Sequence, residues 1–85
     1  MFLLTIMGRE REGAYSVMNE YGEKILYLFE EEDDAERYAM MLEEDGHPEM
    51  HLIEIDNDIM LQTCNLNDYK YTIITSNDIV IPPNY

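Results

Sequence analysis

Carboxylates dominate the chemistry this sequence could perform. Five stand in a row, Glu30 to Asp34. Oxygen ligands at that density suit calcium or magnesium, but a calcium loop also needs alternating ligands, a central glycine and a distant glutamate. The run has no glycine and leads straight into an apolar pattern. Asp56 and Asp58 flank Asn57 at a metal-loop spacing, but Ile59 and Met60 follow at once, so a helix cap accounts better for them. His47 and His51, with Glu49 and Glu54, are residue types that bind zinc or exchange protons. His47 precedes Pro48 in a turn, and His51 and Glu54 project to distant places along a strand, so no common site follows. Cys64 is the sole cysteine, which excludes an internal disulfide. It falls on the inward stripe of a short helix with no base beside it in sequence, as a buried thiol would. The residues therefore predict no catalytic group, no cofactor and no metal, and the chain is not expected to be an enzyme.

The elements that must carry these residues follow from periodicity. Met1–Met7 is an apolar, partly β-branched run stopped by Gly8, a buried strand. Residues 14–22 are ambiguous between a short strand with a turn and one helical turn. Lys24–Glu30 is nearly all apolar between charges, as in a central strand buried on both faces. With Ala35 as origin and about 100° per residue, Tyr38, Ala39 and Leu42 share a helical stripe. Asp33 or Glu32 is placed to cap that helix, Asp33 to pair with Arg37, and Gly46 and Pro48 to end it. Met50, Leu52, Ile53 and Ile55 mark a half-buried strand. Asp56 or Asn57 caps a second helix with Ile59, Met60 and Cys64 inward. Tyr69, Tyr71 and Ile73 alternate along a last strand. The predicted fold is α+β, a two-layer sandwich. It has a small mixed sheet of about four strands with two helices packed on it, in the order β-β-α-β-α-β. The 85 residues make one small domain, and residues 77–85 form a tail containing Pro82 and Pro83.

The formal charge is −14, from 19 acids against five bases. The bases Arg9, Arg11, Lys24, Arg37 and Lys70 are scattered. Such a field repels phosphates and anionic lipid heads, so neither nucleic acid nor membrane is an expected partner. It attracts a basic protein at long range, in a salt-dependent way. The start is too short in apolar residues for a signal or a membrane span, which makes a cytoplasmic location the expectation. The acids at the front of the first helix complement its dipole. Glu43, Glu44 and Asp45 stand at the wrong end of it, and this suggests a purpose other than stability. Met40 falls roughly 140° from the core stripe, a methionine on a wet acidic face. Glu36, Met40, Glu43 and Glu44, with Tyr21 and Tyr85, make up the candidate interaction surface.

Three stretches together resemble a known family: "LYLFEEEDDAERYAMMLEEDGHP", "IEIDNDIMLQTCNLNDY" and the closing "PPNY". It is domain of unknown function 3110, a family of uncharacterised proteins from cyanobacteria and their phages. The family pattern is a strand ending in Phe-Glu, an acidic stretch, an Asp-Ala-x-Arg-Tyr-Ala helix, an Ile-Asp strand end, a Cys-bearing helix, a Tyr and Pro-Pro. The matching residues are Phe29, Glu30, Asp34, Ala35, Arg37, Tyr38, Ala39, Leu42, Ile55, Asp56, Cys64, Tyr69, Pro82 and Pro83. The family's glycine between the last strand and Pro-Pro is replaced here by "SNDIVI". The resemblance implies an origin and a size but no catalytic residues. The reading that follows is a non-enzymatic, cytoplasmic interaction or regulatory module that meets a protein with a basic surface, or another copy of itself as a homodimer. The alternative is a homodimeric small-molecule-binding domain, or a small enzyme with its site between subunits.

Overall fold

The structure is a computed structural model that describes residues 1–78 and 80–82. Its strands are β1 (Phe2–Ile6), β2 (Ser16–Met18), β3 (Lys24–Phe29), β4 (Met50–Glu54) and β5 (Lys70–Ile74). Its helices are α1 (Glu32–Glu44) and α2 (Asn57–Leu66), and one 3-10 turn covers Glu10–Glu12. All five strands share one mixed sheet. β1 lies antiparallel to β4 from Phe2↔Glu54 to Ile6↔Met50 and meets β3 at Phe2↔Phe29. β2 pairs with the opening of β3, Ser16↔Leu26 to Met18↔Lys24, and β5 runs parallel to β3 from Ile25↔Lys70 to Phe29↔Ile74. β1 and β2 use different residues of β3 and so share one of its edges, and β5 takes the other.

This resolves the ambiguous residues 14–22. β2 and β3 form a hairpin whose turn is built by Asn19: its side-chain oxygen accepts from the N–H of Tyr21 and of Glu23, 2.9 Å each. The α+β class, the mixed sheet and the two helices stand as expected, with β2 bringing the sheet to five strands.

The layering is a correction to the two-layer expectation. Successive strand residues point to opposite faces. Phe29 and Leu4 pack with Ala35, Tyr38, Ala39 and Leu42 of α1. Their neighbours Leu28 and Leu3 pack with Met60 and Cys64 of α2. The helices therefore cover opposite faces of the sheet. Each amphipathic helix needs one apolar face, and a central strand apolar on both sides offers two.

The larger cluster contains an aromatic group. Tyr38 is wholly buried, with ring centroids 5.5 Å from Phe29, 5.6 Å from Tyr15 and 5.7 Å from Tyr27. Its hydroxyl lies 3.1 Å from that of Tyr15. On the other face α2 leaves β5 uncovered. Tyr69 and Tyr71, expected in the core, are exposed at 52% and 36%, and Ile59, expected inward, is exposed at 59%.

The C-terminus of α1 closes in a Schellman arrangement. Gly46 N–H donates to Glu43 C=O at 3.1 Å and His47 N–H to Leu42 C=O at 3.0 Å, with Gly46 at φ +95°. No side chain crowds position 46, so its cost to another residue is purely conformational. Gly46→Ala is expected to lower the unfolding free energy by about 1 kcal/mol, measured by urea denaturation.

Candidate protein-interaction surface

The α1 stripe expected to be buried is buried: Ala35, Tyr38, Ala39 and Leu42. The same geometry turns Glu36, Met40, Glu43 and Glu44 outward, and all four are exposed. Met40 is 61% exposed. Glu36, Glu43 and Glu44 stand at i−4, i+3 and i+4 from it, the helical neighbours of its side chain. With Arg37 at i−3, the result is an apolar, polarisable point flanked by three carboxylates and one guanidinium.

The start of α1 differs in detail from expectation. Glu31 occupies the cap position with extended backbone and makes no side-chain cap bond, so neither Glu32 nor Asp33 caps the helix. Glu32, Asp33 and Asp34 lie in the first turn, where the helix dipole favours them. Arg37 pairs with Asp34 at 3.0 Å, one residue later than the expected Asp33. Asp34 is the inner partner of the two, which brings it within reach of Arg37 one turn on. At the other end Glu43, Glu44 and Asp45 meet the negative pole, and the last turn holds no basic residue to offset them.

Tyr21 is exposed at 79% on the tip of the β2–β3 hairpin and is not part of the α1 face. Tyr85 lies outside the described residues.

The other chemistry-bearing residues have local roles. Asp56 caps α2, accepting from Asp58 N–H at 3.0 Å and Ile59 N–H at 3.1 Å. Cys64 is fully buried beside Leu3, Leu28 and Met60, and burial pushes its thiol pKa up, away from the nucleophilic thiolate. Exposed His47 completes the helix stop with its backbone.

His51 Nδ1 lies 3.1 Å from Glu10 Oε1. The two are 41 residues apart in sequence, and no local spacing foretells the pair. The Glu10 carboxyl is held below the usual carboxylate range. Hydrogen bonding to the backbone N–H groups of Glu10 and Gly8 dominates, and His51 adds to it. A carboxyl with a lowered folded pKa stabilises the fold above the ordinary glutamate pKa and stops doing so as pH falls through the lowered value. The stabilities of the parent and Glu10→Gln, measured by urea titration, are thus expected to differ at neutral pH and to converge in acid.

Among the described residues no three His, Cys, Asp or Glu side chains gather to hold a metal ion. A groove of about 570 Å³ opens on the α2 side, lined by apolar Ala14, Leu26, Met60 and Tyr69 and by the charged Glu23, Lys24, Asp68 and Lys70. Lys70 pairs with Glu23 there. Neither Cys64 nor a histidine lines it. Among the described residues no helix is long and apolar enough to cross a membrane.

The family model described as Domain of unknown function (DUF3110) matches residues 2–84. The chain belongs to this family. No curated protein and no solved structure matches it. The DUF3110 resemblance on α1 has a structural meaning. Ala35, Tyr38, Ala39 and Leu42 are the helix's buried stripe, and Asp34 and Arg37 are its ion pair. Ile55 packs beside the α2 cluster, Cys64 lies within it and Asp56 caps α2. These residues build the DUF3110 fold, and the outward acids of α1 lie between them.

Proposed function

We propose that this DUF3110 protein is a non-enzymatic, cytoplasmic interaction or regulatory module that offers the outer face of α1 to a basic protein. The observation that carries this reading is Met40, 61% exposed and flanked by Glu36, Glu43 and Glu44, with the neighbouring Arg37 already paired to Asp34. The net charge of −14 draws a basic surface in and raises the encounter rate. Desolvating Met40 then lengthens the life of the complex. The acids at the C-terminal end of α1 fit this role because they cost the helix stability. The same field disfavours nucleic acid and anionic membranes.

A photo-reactive residue at position 40 is expected to crosslink to a basic protein in source-cell lysate at low salt. One at exposed position 59 on α2 is expected not to. Identical products from both positions would contradict the reading.

The groove beneath Tyr69 supports a second reading, binding of a small molecule. Its volume of about 570 Å³ is ligand-sized, and its lining combines apolar walls with two bases, Lys24 and Lys70, and two acids, Glu23 and Asp68. Native mass spectrometry of the purified protein tests it: an adduct of constant mass supports it, and a bare polypeptide mass contradicts it.

A further inference from the structure

We propose that the outer edge of β5 pairs antiparallel with β5 of a second copy, about a two-fold axis at Thr72, joining two five-stranded sheets into one. This goes beyond the α1 reading and uses a different surface. β5 lies at the limit of the sheet, and among the described residues its only partner strand is β3. Natural edge strands are usually guarded by shortness, by charged side chains and above all lysine, by proline, by a bulge or by a covering segment, and Lys70 is the one such charge in β5, at its first position. Lys70–Ile74 contains no proline and no carboxylate, and Tyr71 and Ile73 are exposed on the face α2 leaves open. Leu66 at 86% and Tyr69 at 52% extend the apolar surface toward α2.

Charge selects the occupant. From residue 59 to residue 77 the sequence holds one acid, Asp68, and one base, Lys70, and every other acid lies outside this span. A basic partner drawn by the field of the chain goes where the carboxylates are. Of the acids near β5, Glu23 is paired with Lys70 and Asp78 is held by Thr75, so a second copy, itself at −14, meets less open charge here than on α1. The strand is also complementary to itself. With Thr72 opposite Thr72 of the second copy, Tyr71 meets its Ile73 and Lys70 meets its Ile74. The Tyr71–Ile73 pairs are aromatic–β-branched, each Lys70 faces an apolar Ile74, and no like charges stand face to face.

Sedimentation equilibrium of the full chain, over about 1 µM to 1 mM, tests the pairing at a strength suited to a small interface. A monomer–dimer equilibrium is expected. It should tighten as salt rises from about 0.02 M to 0.5 M, because the Debye length shrinks from about 20 Å to 4 Å and screens the repulsion between the copies. Binding of a basic protein shows the opposite salt dependence, so the two surfaces are separable. Thr72→Glu puts two carboxylates across the axis. Thr72 is solvent-exposed, so the fold should survive, and the dimer constant should weaken at least tenfold.

Thr72→Cys gives a second test. Directly opposed residues of an antiparallel pair have Cα atoms about 4.5–5.5 Å apart, within disulfide reach. Thr72→Cys should form a covalent dimer under mild oxidation faster than Ser76→Cys, which lies beyond the strand, while native Cys64 stays buried. The proposal is overturned if the parent chain stays monomeric throughout. It is equally overturned if Thr72→Glu dimerises as the parent does, or if Thr72→Cys crosslinks no faster than Ser76→Cys. Occupation of the edge by a foreign extended peptide, with the chain alone monomeric, also overturns it.

Discussion

Tyr38→Ala is expected to remove about 3–5 kcal/mol of stability. A domain of this size commands roughly 4–13 kcal/mol in all, so this single change brings the fold close to its limit. Tyr38 is wholly buried at the centre of the α1 cluster. Its ring meets Phe29 and Tyr27 of β3 and Tyr15 just before β2, two separate segments of the sheet side of the core. Truncation opens a cavity that backbone elements on both sides hold apart, so collapse into it is limited. It also deprives the Tyr15 hydroxyl of the oxygen 3.1 Å away. Tyr38→Phe separates the two effects. It keeps the ring and loses the hydroxyl, and is expected to cost about 0.5–1.5 kcal/mol. Urea unfolding followed by circular dichroism measures both. A Tyr38→Ala midpoint within error of Tyr38→Phe would mean that the ring contributes little and that the core is organised elsewhere.

The second large effect is on binding. Replacing Glu36, Glu43 and Glu44 by glutamine and Met40 by alanine is expected to weaken binding of a basic partner about 100-fold or more. Three exposed charge interactions at about 0.5 kcal/mol each and loss of about 1.5 kcal/mol of apolar burial together reach that figure. The same substitutions move stability the other way at the helix end. Neutralising Glu43 and Glu44 removes repulsion with the negative pole of α1 and should raise the unfolding free energy by a few tenths of a kcal/mol. A variant that is at least as stable and yet binds less cannot be explained by misfolding. If affinity and stability fell together, the α1 face would be structural rather than functional.

Much of this was legible in the residues. The stripe Ala35, Tyr38, Ala39, Leu42 repeats at helical spacing, and burial followed it without exception. The apolar run of β3 indicated a strand buried on both faces, and Leu28 and Phe29 are both fully buried. Periodicity tells which residues share a face but not whether another element covers that face. Tyr69 and Tyr71 alternate as a core strand does, yet α2 packs over Leu3 and Leu28 and leaves β5 bare. For the same reason the sequence could not say that the two helices lie on opposite faces. β2 was ambiguous because Ser16 and Val17 are only half-buried and Met18 is exposed, and pairing with β3, not pattern, makes it a strand. The Glu10–His51 contact depends on β4 reaching the turn after β1, a consequence of topology alone. The outward set Glu36, Met40, Glu43 and Glu44 was readable from the wheel, because one helix places all four. Tyr21 belongs to a different element, and its relation to that set was beyond any local pattern.

The most direct test of the central claim is an affinity capture from source-cell lysate at low and at high salt. The tagged parent chain is compared with the variant neutralised at Glu36, Glu43 and Glu44 and truncated at Met40. The expected result is a basic protein held near stoichiometry by the parent chain at low salt, released at high salt and not held by the variant. No partner at either salt, or a partner that the variant holds as firmly as the parent, would contradict recognition through the acidic face of α1.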